Sequence, residues 1–331
     1  MLTLLKRFKK LLIVLSFPYL YVLFLLVAPT NQQILAPGGL TPVYETVEIE
    51  GITMSSQFHT IYVYNYYPMT PFQGFLASLG DRMDVYPLSV RDKDTSWRDE
   101  YLAGQVSKLS SLQISVIKAY ELASIEDDKI AITHHFEGLM ISYRPSRIKE
   151  LQIGDIVLSI NGENYSDHDE LGFTELAKAR EATLLIKRVQ ENEVSYHEVS
   201  YVLDDDEPGL RYYPNYVIEQ ATPSFTLPGL DSVVGGPSGG MIQTLSIYVS
   251  LLKLNIGDIK IAGTGTILMS GNVGLIGGIR QKIYTAIDQD VDLFFIPKAH
   301  LEDIDDMNYP FDLIAVETIE QAVNALYEAI N

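Results

Sequence analysis

The chain is 331 residues long, enough for two or three domains around a sizeable core, and it contains no cysteine, so neither disulfides nor thiolate metal ligands take part in its stability or chemistry. Its formal net charge is −19, and the four bases before position 31, Lys6, Arg7, Lys9 and Lys10, leave 20 basic groups against 43 acidic ones in the rest. A surface of that sign repels nucleic-acid phosphate and anionic lipid, which argues against nucleic acid as a partner, and it attracts cationic peptides at long range.

Leu11 to Ala28 is an apolar run of 18 residues behind this basic cluster. A span needs roughly 17–25 residues, and basic flanks stay cytoplasmic, so residues 1–30 read as a cytoplasmic stub and transmembrane anchor with the remainder extracytoplasmic. The competing reading is a cleaved signal peptide, but no A-x-A site follows, and the small residues Ala28 and Ala36 each precede proline. Residues 31–42, with Ala36-Pro37-Gly38-Gly39-Leu40-Thr41-Pro42, have the composition of a linker. Tyr44–Ile49 and Thr60–Tyr66 alternate as strands do, and Tyr62, Tyr64, Tyr66 and Tyr67 read as a sheet face or a recognition surface. Trp97 to Ser124 is predicted helical, with Leu102, Val106, Leu109, Val116, Ala119 and Ala123 on one face.

From 126 to 204 the pattern changes. Gly138-Leu139-Met140-Ile141-Ser142 and the run Leu151 to Gly162, with Gly154-Asp155 and Asn161-Gly162 as turns around a buried strand, resemble a PDZ domain. The resemblance implies a peptide-receiving strand edge at Gly138, Leu139 and Met140, or a packing module that binds nothing. His134-His135 sit on opposite faces of a strand and read as structural, not as metal ligands; no metal site is expected. Asp204-Asp205-Asp206-Glu207-Pro208-Gly209 reads as a solvated connector in preference to a calcium loop.

Residues 205–331 carry the chemistry. Gly236-Pro237-Ser238-Gly239-Gly240 precedes Met241, Ile242, Leu245, Tyr248, Val249 and Leu252 at helical spacing, which places Ser238 at a positive helix end where backbone N–H groups around Pro237 and Gly239 can hold an oxyanion. A serine needs a base, and Lys282, after Gly277-Gly278-Ile279-Arg280-Gln281, is the candidate. Burial among apolar neighbours would have to lower its pKa from about 10.4 to roughly 7–8, on the order of 4 kcal/mol. Ile319, Ala322, Val323, Leu326 and Ile330 predict a closing amphipathic helix over Thr318–Ile330.

These segments resemble the proteolytic domain of Lon-type serine proteases, in which a Gly-Pro-Ser-small-Gly turn supplies the nucleophile and a lysine after a Gly-Gly pair the base; the separation of 44 residues fits. Thr264, in Ala262-Gly263-Thr264-Gly265, matches the threonine that bonds near that lysine in the family. Two positions depart from the pattern: Gly239 replaces the commoner alanine, and Thr266 stands where cytosolic Lon proteins carry glutamate, as in the membrane-anchored, PDZ-containing Lon-like subgroup. The resemblance implies an α+β fold in which a Lon-type proteolytic domain, with 43–125 as its N-terminal part, carries an inserted PDZ domain and an N-terminal transmembrane helix. It further implies a serine endopeptidase with a Ser238–Lys282 dyad acting on secreted peptides or unfolded protein segments. The sequence contains no G-x-x-x-x-G-K-[ST], so no ATP and no other cofactor is expected. A membrane-tethered PDZ scaffold with an inactive protease-like domain is the alternative; the sequence leaves the oligomeric state open.

Overall fold

A computed structural model describes residues 8–164, 179–190, 193–227 and 236–330. Lys6 and Arg7 of the basic cluster, residues 165–178 of the expected PDZ unit, and the 228–235 approach to the serine turn lie outside the described residues.

The elements in chain order are α1 (Lys9–Val27), β1 (Gln32–Pro42), β2 (Phe58–Tyr66), α2 (Pro71–Ala77), β3 (Asp84–Pro87), α3 (Trp97–Glu126), β4 (Ala131–Tyr143), β5 (Ile156–Ile160), β6 (Glu181–Gln190), β7 (Glu193–Val202) and β8 (Arg211–Thr222). They continue with α4 (Gly240–Leu251), β9 (Ile261–Gly263), α5 (Ile279–Asp288), β10 (Leu293–Pro297), β11 (Asp312–Val316) and α6 (Ile319–Ile330). α1 is long and apolar enough to cross a membrane, a test that a signal sequence also passes, and none of it is buried.

The main sheet has the order β11-β10-β9-β2-β1-β3, parallel from β11 to β2 and antiparallel from β2 to β3. β10 shows why it is central. Leu293 and Phe295 point into one core, with α3, α4 and α6, while Phe294 and Ile296 point into another, with Ile279, Ile283 and Ala286 of α5. The parallel β9-α5-β10 crossover, beside the antiparallel β2-β1-β3 pairs, makes this a mixed layer of helices and strands.

Three expectations change. Residues 31–42 are not a linker: β1 pairs with β2 from Ile34 to Pro42 and with β3 from Gln32 to Leu35. The Pro-Gly-Gly composition belongs to a bulge between Pro37 and Gly39, where a Cβ on Gly38 would lie 2.2 Å from the Tyr62 carbonyl oxygen. Tyr44–Ile49 is likewise not a strand; it holds a short 3-10 turn, Val43–Glu45, and a two-residue strand, Glu48–Ile49, paired with Phe225–Thr226. The third concerns the second sheet, β8-β4-β5-β6-β7, antiparallel throughout and built on its own core of Leu139, Ile141, Leu151, Leu184 and Ile186. Its edge strand β8 comes from residues expected in the catalytic part, so 126–204 does not close on itself.

α3 lies between the two halves. One apolar face was expected, yet Ser107, Ser110, Ser111 and Ser115 are buried as well as Val116, Ala119 and Ala123, because the helix packs on α4 on one side and on β4 and β8 on the other. Hydroxyls reach carbonyls of both neighbours: Ser110 Oγ donates to Pro214 O at 2.6 Å, and Ser115 Oγ shares its proton between Ser111 O of its own helix at 2.7 Å and Gly240 O at 3.0 Å.

A chain beginning at Pro29 should unfold in one cooperative thermal transition followed by circular dichroism, whereas one beginning at Val43 should not, since β2 and β3 both lose β1. A sharp transition in the shorter chain would mean that β1 is dispensable.

Candidate active site

Ser238 and Lys282 reach one point from opposite faces of the main sheet. β9 is only three residues long, and beyond Gly263 the sheet opens between β2 and β10. α4 packs on one face of that gap and α5 on the other, and Thr264 follows directly from the strand. Crevices at the carboxyl ends of parallel strands are where such sheets hold their ligands.

The serine turn is a 3-10 turn, Pro237–Gly239, feeding the fully buried α4. Two backbone bonds clamp it to the strand end: Gly265 N donates to Ser238 O at 2.7 Å and Met241 N to Gly265 O at 3.1 Å. Ser111 Oγ donates to Pro237 O at 3.3 Å from α3. Pro237 has no amide hydrogen, so of the expected oxyanion pair it contributes a fixed φ and no donor; the N–H of Ser238, in the first turn, has no intrahelical carbonyl to bond.

Lys282 Nζ lies 2.9 Å from Ser238 Oγ and 2.8 Å from Thr264 Oγ1. Thr264 is wholly buried and donates its own hydroxyl proton to Ser238 O at 3.1 Å, so its oxygen is left to accept from the amine. The Lys282 side chain is 3 % exposed, and burial lowers its pKa to about 7. No carboxylate pairs with the amine among the described residues. A neutral amine that gives one proton to Thr264 has its lone pair free for the Ser238 hydroxyl.

The pair opens into a cleft of about 860 Å³ that also touches Thr60, Tyr62, Tyr64, Lys108, Tyr213 and Leu275. Its wall at Leu275–Gly277 is held by the buried His300: Ile276 N donates to Nε2 at 3.0 Å, which leaves the proton on Nδ1 for Asp303 at 2.7 Å. Reading the sequence missed Thr60, Lys108, Tyr213 and His300, since each is isolated in the chain and joins the site only through the sheet.

The expected ligand site at Gly138, Leu139 and Met140 is different. β4 is paired on both sides there, Leu139 with Pro214 and Val157, Met140 with Tyr213 and Ile156, and both side chains are buried. No edge is open to receive a peptide at these residues. His134 and His135 face apart as read from sequence, toward Glu121 and Glu219 respectively, and no cluster able to hold a metal occurs among the described residues.

Residues 227–329 match the family model described as Lon protease (S16) C-terminal proteolytic domain. Among similar proteins, Lon protease of Methanosarcina barkeri (strain Fusaro / DSM 804) is 33% identical over 95 residues, 27% of this chain and 11% of that protein. Lon protease of Borrelia duttonii (strain Ly) is 33% identical over 96 residues, 29% and 11% of the two chains. Lon protease 1 of Syntrophobacter fumaroxidans (strain DSM 10017 / MPOB) is 29% identical over 120 residues, 36% and 14%. The similar segment thus spans about a tenth of the length of these relatives. It supports placing the C-terminal part of the chain, which holds Ser238, Thr264 and Lys282, in the Lon proteolytic-domain family.

Gly239, where the resemblance leads one to expect alanine, has a local reason to be glycine. It sits in the turn and not in the helix interior, and a Cβ there would lie 2.7 Å from Thr60 Cγ2. Gly239→Ala should therefore cost about 1–3 kcal/mol by urea unfolding, and Thr60→Ser in the same chain should recover most of it. An additive pair would mean that the two side chains do not meet.

The amine makes a second, signed expectation. Between about pH 7 and 10 the unfolded chain binds a proton at Lys282 that the folded chain does not, so stability rises with pH across that window, and below pH 7 the burial penalty is at full size. Lys282→Met should raise the unfolding free energy by roughly 3 kcal/mol at pH 6 and by progressively less toward pH 10. Equal effects at both pH values would place the ammonium in solvent.

Proposed function

We propose that the chain is a serine endopeptidase in which Ser238 is the nucleophile and Lys282 its general base. The observation that carries this reading is the buried amine between Ser238 Oγ and Thr264 Oγ1, with its pKa lowered to about 7. Neutral Lys282 takes the hydroxyl proton as Oγ attacks the scissile carbonyl, and the resulting oxyanion faces the Ser238 N–H at the first turn of the serine segment. The ammonium then gives its proton to the departing amine, leaving an acyl-serine. A water enters, loses a proton to Lys282, attacks the acyl carbon and releases the carboxylic acid, with the proton returned to Oγ. Thr264 holds the amine in register throughout and changes no charge.

The substrate is an extended peptide. β2 is paired with β9 only from Phe58 to Thr60, so on that side Ile61 to Tyr64 border the cleft, and a chain laid there can add as a strand. We read α1 as a membrane anchor, the catalytic part as extracytoplasmic, and the second sheet as a PDZ-like module beside the site. Substrates are then secreted peptides or flexible surface-protein segments, cut without ATP since the sequence carries no nucleotide-binding loop.

Full-length chain in phospholipid nanodiscs, given a peptide library read by mass spectrometry, should yield cuts that are lost in Ser238→Ala. Lys282→Ala and Lys282→Arg should each be at least ~10³-fold slower, with no further loss when combined with Ser238→Ala, because both serve one step and a guanidinium stays protonated. kcat/KM should rise about tenfold per pH unit below 7 and level off above it, as the amine loses its proton. A Lys282→Arg chain with normal turnover would refute lysine as the base; failure of a serine-directed phosphonate to label Ser238 would leave only a scaffold.

A further inference from the structure

Outside the cleft, one surface is unlike the rest of the molecule. From Thr60 to Gly80 there is no charged side chain, in a chain of net charge −19. Within this stretch Phe72, Phe75 and Leu76 of α2, with Leu79 two residues past its end, lie at helical spacing, all exposed, while Ala77 of α2 packs into a small core with Ile34 and Met69. Among the described residues nothing covers this stripe.

Its position relative to α1 is fixed by hydrogen bonds. Thr30, three residues beyond the end of α1, donates both its N–H and its hydroxyl to Met69 O at 2.8 Å each, and Met69 N donates to Gln32 O at 3.0 Å. α2 begins two residues later and packs against α1. The same end of the main sheet presents exposed Tyr66 and Tyr86, which pair across Ile34 and Gln33 of β1. Tyrosines of this kind settle where headgroups meet acyl chains.

Resting on the reading of α1 as a membrane anchor, we propose that the stripe of Phe72, Phe75 and Leu76 on α2 and Leu79 just after it is embedded in the bilayer interface beside α1, as a second, interfacial attachment that sets the catalytic layer at a fixed height. The lack of charge on the stretch selects the acyl–headgroup boundary of zwitterionic lipid over anionic headgroups. Thr60, at the cleft, is six residues up β2 from Tyr66, so the nucleophile stands ~20 Å along the strand from the lipid end. A peptide segment just outside the bilayer is then within reach, and one far from it is not.

The chain has no cysteine, so single-cysteine labels report one site each. Full-length chain in phosphatidylcholine nanodiscs, with an environment-sensitive fluorophore at Val22→Cys, Phe75→Cys, Leu79→Cys or Val194→Cys, is tested against quencher-bearing lipids. Positions 22, 75 and 79 should lose most of their emission and position 194 none; Phe72→Gln with Leu76→Gln should restore emission at 79 but not at 22. Quenching at 22 alone overturns the interfacial attachment and leaves the anchor standing. Quenching at 75 and 79 without 22 supports lipid contact by α2 and removes the anchor. No quenching at any position overturns both. A blue shift at 79 without lipid quenching overturns the proposal in favour of a protein partner.

Discussion

A primary amine taken out of water without a counter-charge is the constraint that orders the rest of this structure. Lys282 pairs with two hydroxyl oxygens and no carboxylate, so desolvation acts on it unopposed, and its neutral form is favoured near pH 7. A glutamate at position 266 would supply a negative charge beside the cleft and favour the ammonium; Thr266 does not. The surrounding layer must therefore exclude water on its own. It does so with Ile279 and Ile283 of α5 under the lysine and with Met241 and Ile242 of α4 behind the serine, all buried. Stability is given up at this one side chain and recovered from two apolar cores that meet across the sheet.

The short strand β9 makes that arrangement possible. A longer strand would continue the ladder between β2 and β10 and keep α4 and α5 apart. Stopping at Gly263 lets Thr264 turn its hydroxyl toward Ser238 O while its N–H still bonds Phe295 O at 2.9 Å, so the threonine belongs to both the sheet and the site. α3 extends the same logic outward. Its serines reach Pro237 and Gly240 on one side and Pro214 on the other, and Tyr213, next to Pro214, lines the cleft. The second sheet is thus in contact with the serine turn through one helix and with the cleft through one ring.

That Ser238, Thr264 and Lys282 come together was legible in the sequence because each stands in a short motif whose residue types serve its own geometry: a proline-glycine turn before a helix, a strand end, a glycine pair before another helix. The closing helix was legible from its period, Ile319, Ala322, Val323 and Leu326 being the buried positions. β1 was not, since Pro37, Gly38, Gly39 and Pro42 have linker composition; only the partner strand reveals that Gly38 is there to let the Tyr62 carbonyl approach, with its N–H bonded to Thr285 Oγ1 at 2.9 Å. The Gly138–Met140 edge failed for a related reason. A glycine before alternating apolar residues reads the same whether a peptide or a later strand takes the edge, and here β8, some seventy residues on, takes it.

Net charge also reads differently once the fold is known. The acidic surface attracts cationic peptides from a distance, but a Debye length of about 8 Å limits that attraction to the outside of the molecule. Among the described residues lining the cleft there is no carboxylate, and the charged side chains are Lys282 itself and Lys108, whose pKa burial also lowers. A cationic residue brought to the cleft would meet these amines, whereas an apolar or aromatic one would meet Tyr62, Tyr64 and Leu275. On the proposed endopeptidase reading, long-range attraction would favour basic residues away from the cut, and the cleft uncharged ones beside it.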